Sequence, residues 1–186
     1  EEIEAFAFYN CSGFKGSLTI SNSIKSLRSS VFYNCSGFSG SLKLPDNLIT
    51  INESVLYNCG GLSGFLTIPD SVVSIENSAF YNCFGFSGSL KLPNSIKKIK
   101  YNAFYNCYGL SGSLTIPNSV SSIENHAFYN CHGFTGSLKI ADSVNSIGKF
   151  AFYKCSGFSG SLTIPENITI ISEYTFFECF SFSGSL

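Results

Sequence analysis

From residue 103 to 117 the chain reads Ala-Phe-Tyr-Asn-Cys-Tyr-Gly-Leu-Ser-Gly-Ser-Leu-Thr-Ile-Pro, and this order of apolar and polar positions returns from end to end. The cysteines at 11, 35, 59, 83, 107, 131, 155 and 179 are each 24 residues from the next, with no insertion or deletion. Around them the large apolar residues fall into columns. One holds Phe32, Leu56, Phe80, Phe104, Phe128, Phe152 and Phe176; another holds Phe38, Leu62, Phe86, Leu110, Phe134 and Phe158. A leucine column runs from Leu18 to Leu186, and further columns pass through Ile116, Val120 and Ile123. A period this strict predicts a solenoid in which each 24-residue unit is one coil stacked on the next, since no single unit could bury its own apolar columns.

Within one unit, Leu114-Thr115-Ile116 alternates in, out, in, which predicts a short strand. Pro117 has no N–H to continue a ladder. After it, Ser119-Val120-Ser121-Ser122-Ile123 predicts a bend and a second, very short extended piece. Phe128 and Cys131 stand three apart, as on one 3₁₀ or helical turn. Gly133 and Gly136 are expected to give the backbone freedom to turn back toward the next strand. One coil therefore reads strand, corner, extended piece, single helical turn, glycine corner. Parallel strands joined this way imply a right-handed coil.

Eight cysteines raise the question of disulfides. Equivalent side chains in successive coils point the same way about 4.8 Å apart, farther than the Cβ separation that a disulfide prefers. A column of buried free thiols fits better. Metal binding is not expected, because no second cysteine lies close in sequence to any of them and His132, beside Cys131, stands alone.

Charged residues make up 12% of the chain and the formal net charge is -1. With no basic run, the electrostatic signature of nucleic-acid binding is missing. No apolar run approaches the ~18 residues of a membrane span. Both ends fall within the repeat and neither carries a more polar capping unit. Residues 1–186 are thus expected to be one array of about seven and a half units, cut from a longer one.

The run from Leu66 to Phe86, L-x-I-P-x-S-V-x-x-I-x-x-x-A-F-Y-N-C-x-G-F, resembles the BspA-like type of leucine-rich repeat, and the likeness covers essentially the whole chain. The resemblance implies a leucine-rich-repeat solenoid with a parallel β-sheet on one face and short strands, 3₁₀ or single-turn helix on the other. It also implies a surface protein of bacteria or parasitic protists such as trichomonads, with roles in adhesion to host cells and matrix proteins. The family offers no fixed catalytic or cofactor motif to carry over.

Two outward columns are candidate binding strips. Thr19, Lys43, Thr67, Lys91, Thr115, Lys139 and Thr163 alternate without a fault, a superimposed period of 48 residues. Three lysines about 9.6 Å apart could meet an acidic partner. Equally, the threonines could simply keep like charges apart, or the alternation could record duplication of a two-unit block. The second strip is Tyr33, Tyr57, Tyr81, Tyr105, Tyr129 and Tyr153, either an adhesive or carbohydrate-binding surface or a cover for the Phe and Cys columns. Asn10, Asn34, Asn58, Asn82, Asn106 and Asn130 form a column suited to an amide ladder. Sequons at Asn52 and Asn167 are possible glycosylation sites, Asn52 being expected to be more exposed than the column asparagines. Phe65, where other units have serine, reads as drift at a corner. His126 and His132 lack a carboxylate–nucleophile setting, and no phosphate loop or nucleophile elbow is present.

The expected function is therefore non-catalytic, with no cofactor: protein binding or adhesion at the cell surface or in secreted form, with lateral or end-to-end self-association a further option. The alternative is an intracellular, cytoskeleton-associated scaffold, which free thiols would suit.

Overall fold

The computed structural model describes residues 1–183. Leu186, the last member of the leucine column, lies outside them. In chain order the strands are β1 (Glu2–Ile3), β2 (Leu18–Thr19), β3 (Ser26–Leu27), β4 (Leu42–Lys43), β5 (Thr50–Ile51), β6 (Gly64–Thr67) and β7 (Ser74–Ile75). They continue as β8 (Phe86–Lys91), β9 (Lys98–Ile99), β10 (Leu114–Ile116), β11 (Ser122–Ile123), β12 (Leu138–Ile140) and β13 (Ser146–Ile147). Every pairing is parallel, and along the long sheet the register is one unit, as in Ile75↔Ile99 and Ile123↔Ile147. The chain is a leucine-rich-repeat solenoid with 24 residues per coil.

The two strand columns differ from the expectation in rank. The very short two-residue pieces ending in isoleucine form the longer continuous sheet, in the order β13-β11-β9-β7-β5. The Leu–Thr–Ile strands pair in couples: β2 with β4, β6 with β8, β10 with β12. In each couple a threonine strand meets the following lysine strand, so Thr19 faces Lys43, Thr67 faces Lys91 and Thr115 faces Lys139. The 48-residue period of the sequence thus coincides with a two-coil period of hydrogen bonding.

The interior is one continuous cluster of the predicted columns. Phe80, Phe104, Phe128 and Phe152 are fully buried, as are Cys83, Cys107, Cys131 and Cys155. Equivalent phenylalanines stack face to face, 5.3 Å between Phe80 and Phe104 and 5.2 Å between Phe104 and Phe128.

Between Phe and Cys, where one helical turn was expected, the chain makes a run of β-turns, and no helix occurs among the described residues. Locally, Ala103 N–H donates to Lys100 O, Tyr105 N–H to Asn102 O and Cys107 N–H to Phe104 O. The intervening N–H groups of Phe104 and Asn106 instead donate to Ala127 and Tyr129 of the next coil, both at 2.8 Å. A helix would turn all of them inward on itself. Here every second one is spent on the neighbouring coil, which welds the stack on this side. The two turns 100–103 and 104–107 need φ > 0 at their third residue, and Asn102 (φ 56) and Asn106 (φ 57) supply it. Asparagine tolerates this left-handed conformation better than most residues.

The glycine after the cysteine also acts differently from the expectation. Gly109 and Gly133 do not have positive φ; a Cβ on Gly109 would collide with the carbonyl oxygens of Phe84 and Phe86 in the preceding coil. Its role is close approach of backbones rather than turning freedom.

Candidate binding face and the aromatic strip

All seven residues of the Thr/Lys column, Thr19, Lys43, Thr67, Lys91, Thr115, Lys139 and Thr163, are exposed, while the apolar residues on either side are buried, Ile164 beside Thr163 only partly. Alternation along each strand causes this, the leucine and isoleucine pointing in and the threonine or lysine out. Lys91 approaches Asp70 at only 4.0 Å, with both side chains 85% exposed, so its charge stays available to solvent. Beside the lysine column runs an acidic one, Asp46, Asp70, Asp142 and Glu166. Shallow depressions open along this face, one around Lys91, Thr115 and Lys139 and another around Phe65, Thr67, Asp70 and Lys91.

Phe65 is the residue that sequence reasoning passed over. In coils 1–2 and 5–6 the serines at its position form a ladder: Ser41 N–H donates to Ser17 Oγ at 3.0 Å, and Ser137 N–H to Ser113 Oγ at 3.1 Å. Phe65 interrupts that ladder. It lies outward on β6, 72% exposed, with its ring against Gly88 of the next coil. It stands on the same face as Thr67 and Lys91, and the register shifts between Phe65 and Thr67. The available signal was its position: a large apolar residue at an outward strand site, two before Thr67.

The tyrosine strip, Tyr33, Tyr57, Tyr81, Tyr105, Tyr129 and Tyr153, is half-buried. Its rings stack at 4.4 to 4.6 Å between centroids, within 3 to 11° of parallel. Stacking consumes the ring faces, leaving edges and hydroxyls outward. A sugar ring packs against an aromatic face, so this geometry suits a cover over the core better than a carbohydrate platform. Burial, reinforced by neighbouring phenols, raises the pKa of Tyr33, Tyr57 and Tyr105.

Next to the tyrosines the amides form the expected ladder. Nδ2 of each asparagine donates to Oδ1 of the one before, from Asn34 to Asn10 at 2.9 Å through Asn130 to Asn106 at 2.9 Å. Where Lys154 and Glu178 replace asparagine, an ion pair of 3.8 Å continues the column. The sequon asparagines are also engaged: Asn52 Nδ2 donates to Leu27 O at 2.7 Å and Asn167 Nδ2 to Asp142 O at 2.8 Å. Asn52 is half-buried, as Asn34 is, while Asn167 is exposed.

His126 and His132 lie apart, each in an aromatic stack, His126 on Phe150 at 5.0 Å and His132 on Tyr108 at 5.2 Å. Desolvation lowers the pKa of His126. Among the described residues no three His, Cys, Asp or Glu converge as metal ligands. Nor is any helix there long and apolar enough to cross a membrane.

The cysteines are free, and their thiols are more than filler. Each Sγ donates to the carbonyl oxygen 27 residues earlier, at 3.0 to 3.1 Å from Cys35 to Cys179. Burial pushes Cys59 up to about 12 and Cys83, Cys107, Cys131 and Cys155 well above the ordinary thiol range. Such thiols stay protonated and unreactive in an oxidising or a reducing compartment alike.

The family model of the BspA type leucine-rich repeat region matches six copies over residues 1–135 and 111–184. The chain belongs to this family. Its fold is similar to that of a leucine-rich-repeat protein of T. pallidum, 27% identical, with a TM-score of 0.68 over 83% of this chain and 69% of that one. It is also similar to a leucine-rich cell surface protein of Faecalibacterium prausnitzii A2-165, 22% identical, with a TM-score of 0.51 over 99% of this chain and 77% of that one. Comparison with curated proteins found no match.

Proposed function

We propose that this BspA-type array is a non-catalytic protein-binding module of a cell-surface or secreted adhesin, and that it binds through the Thr/Lys strand face. The observation that carries the reading is the exposed column from Thr19 to Thr163, six of its seven members held on parallel strands, with the exposed ring of Phe65 on the same face. A rigid scaffold that holds many weak contacts at fixed spacing gains strength by engaging several at once. An exposed aromatic amid lysines is the residue type that anchors protein interfaces. The surface setting is supported by the family and by the Faecalibacterium relative in fold, itself a leucine-rich cell surface protein. The thiol column supports neither compartment, since its burial makes it indifferent to redox conditions.

The test is binding of the purified chain to immobilised extracellular-matrix proteins and to host-cell monolayers. Lys43→Thr/Lys91→Thr/Lys139→Thr, each change borrowed from the next coil, is expected to weaken binding at least 10-fold, and Phe65→Ser similarly. Saturable binding unchanged in both variants would move the site off this face.

A further inference from the structure

One column outside the core changes character part-way along the array. At the position after the cysteine, successive coils carry Ser36, Gly60, Phe84, Tyr108, His132 and Ser156. The three rings stack in order, Phe84 on Tyr108 at 5.3 Å and 2° from parallel, Tyr108 on His132 at 5.2 Å and 4°. Phe84 is 43% exposed and Tyr108 37%. The core does not require rings here, since the coils with serine at this place bury Cys35 and Cys155 completely.

The stack stops abruptly at Phe84. One face of its ring meets Tyr108; the other turns toward the preceding coil, where Gly60 has no side chain to meet it. A Cβ on Gly60 would come within 2.5 Å of Cε1 and Cζ of Phe84, so the ring leans into the space that a side chain would take. Gly61 is also held to glycine, because a Cβ there would lie 2.1 Å from the carbonyl oxygen of Phe38. The result is a notch with the two glycines as its floor, the Phe84 ring as one wall and Ser36 across from it.

Asn34, Asn58 and Asn82 complete the lining. The amide ladder uses one N–H of each Nδ2 and one lone pair of each Oδ1. Each amide therefore keeps one donor and one acceptor beyond the ladder, repeated at the coil spacing of about 4.8 Å. Among the described residues no charged side chain lines the notch.

We infer that this notch binds a neutral saccharide, one sugar ring against Phe84 and its hydroxyls on the asparagine amides. A pyranose has an apolar face of C–H bonds, which packs on the electron-rich face of an aromatic ring. Its hydroxyls both donate and accept, matching amides that offer one of each. An ion would find no counter-charge here, and a purely apolar group would strip water from three amides without replacing its bonds. A few convergent polar groups beside an apolar wall are the usual make-up of a small-molecule site. The tyrosine strip lacks this geometry, because neighbouring rings take both faces of each of its inner members. The notch lies at the corner after the cysteine, away from the Thr/Lys strands, and stands whether or not that face binds a protein.

NMR titration of the isotope-labelled chain with tetrasaccharides of glucose, galactose, mannose and N-acetylglucosamine tests this through the side-chain amide signals. At least one tetrasaccharide is expected to shift the signals of Asn34, Asn58 and Asn82 saturably, with an affinity that added salt leaves unchanged. Phe84→Ser, borrowed from Ser36, is expected to weaken that binding by about 10-fold or more. Phe65→Ser on the Thr/Lys face is expected to leave it unaltered. Should circular dichroism show that Phe84→Ser disturbs the fold, Asn58→Gly keeps the φ of 57 accessible and is expected to weaken binding similarly. No saturable shift with any of the four would overturn the inference, as would equal affinity in the folded variant. If no tetrasaccharide binds and Phe84→Ser instead loses binding to deglycosylated matrix protein, the rings serve a protein partner and the inference falls.

Discussion

The Sγ of Cys107 lies 3.1 Å from the carbonyl oxygen of Phe80, 27 residues earlier in the chain. The same carbonyl accepts the N–H of Cys83 at 3.2 Å, so one oxygen ties a turn to itself and to the next coil. Cysteine suits the position because it is small, apolar and still a weak donor.

Alkaline conditions should expose this arrangement. In the unfolded chain thiols ionise near pH 8.5, whereas burial holds Cys59 up to about 12 and its four successors well above the ordinary range. Below pH 8.5 both states keep the proton and the stabilisation is fully present. As pH rises further the unfolded chain releases protons that the fold retains, and stability falls by roughly 1.4 kcal/mol per pH unit for each buried thiol. Thermal unfolding between pH 7 and 10 should show a steepening loss of Tm, shallower in Cys107→Ala. A flat profile would contradict the protonated ladder.

Asn106 has two tasks, left-handed backbone and amide ladder, and two substitutions separate them. Asn106→Gly keeps the φ of 57 accessible but removes the bonds to Asn82 and from Asn130. Asn106→Ala removes the bonds and forces a Cβ into the left-handed region, about 1–2 kcal/mol more. In urea denaturation Ala should therefore be the less stable of the two. Equal midpoints would mean that the amide ladder alone explains the asparagine.

Gly109 and Gly13 hold the same place in the repeat but differ in what lies beneath. A Cβ at Gly109 meets two carbonyl oxygens of the preceding coil, while one at Gly13 meets nothing within 4 Å. Gly109→Ala is expected to destabilise the fold by about 3 kcal/mol or more through overpacking, and Gly13→Ala by a few tenths. Calorimetry of the pair checks it; similar losses would return the glycine to a conformational role.

His126 predicts a milder effect at the acid side. Its ring lies among Tyr101, Tyr105, Tyr129 and Phe150, Nδ1 is buried without a partner, and desolvation lowers its pKa. The unfolded chain therefore takes up a proton near pH 6.5 that the fold resists, so stability is full above that pH and declines as pH falls below it. His126→Asn should flatten the change of Tm between pH 7 and 5. An unaltered slope would assign it to carboxylates elsewhere.

By itself the sequence determined the architecture, because a 24-residue period that never slips can bury Phe128, Cys131, Leu138 and Ile147 only by stacking identical coils. The outward Thr/Lys column, the buried free thiols and the asparagine ladder were legible for the same reason: alternation within a strand and repetition between coils leave each side chain one direction to point. Only the tertiary structure decided how the backbone between Phe and Cys is spent. Phe128 and Cys131, three apart, suit a helical turn and a run of β-turns equally, and the choice depends on which N–H groups the next coil accepts. The same holds for Gly109, whose neighbours are carbonyls 23 and 25 residues back, and for Phe65, whose break in the serine ladder becomes a feature of the proposed binding face only once the coils are stacked. Contacts between coils belong to no single stretch of chain, and so they became visible only when the stack was in place.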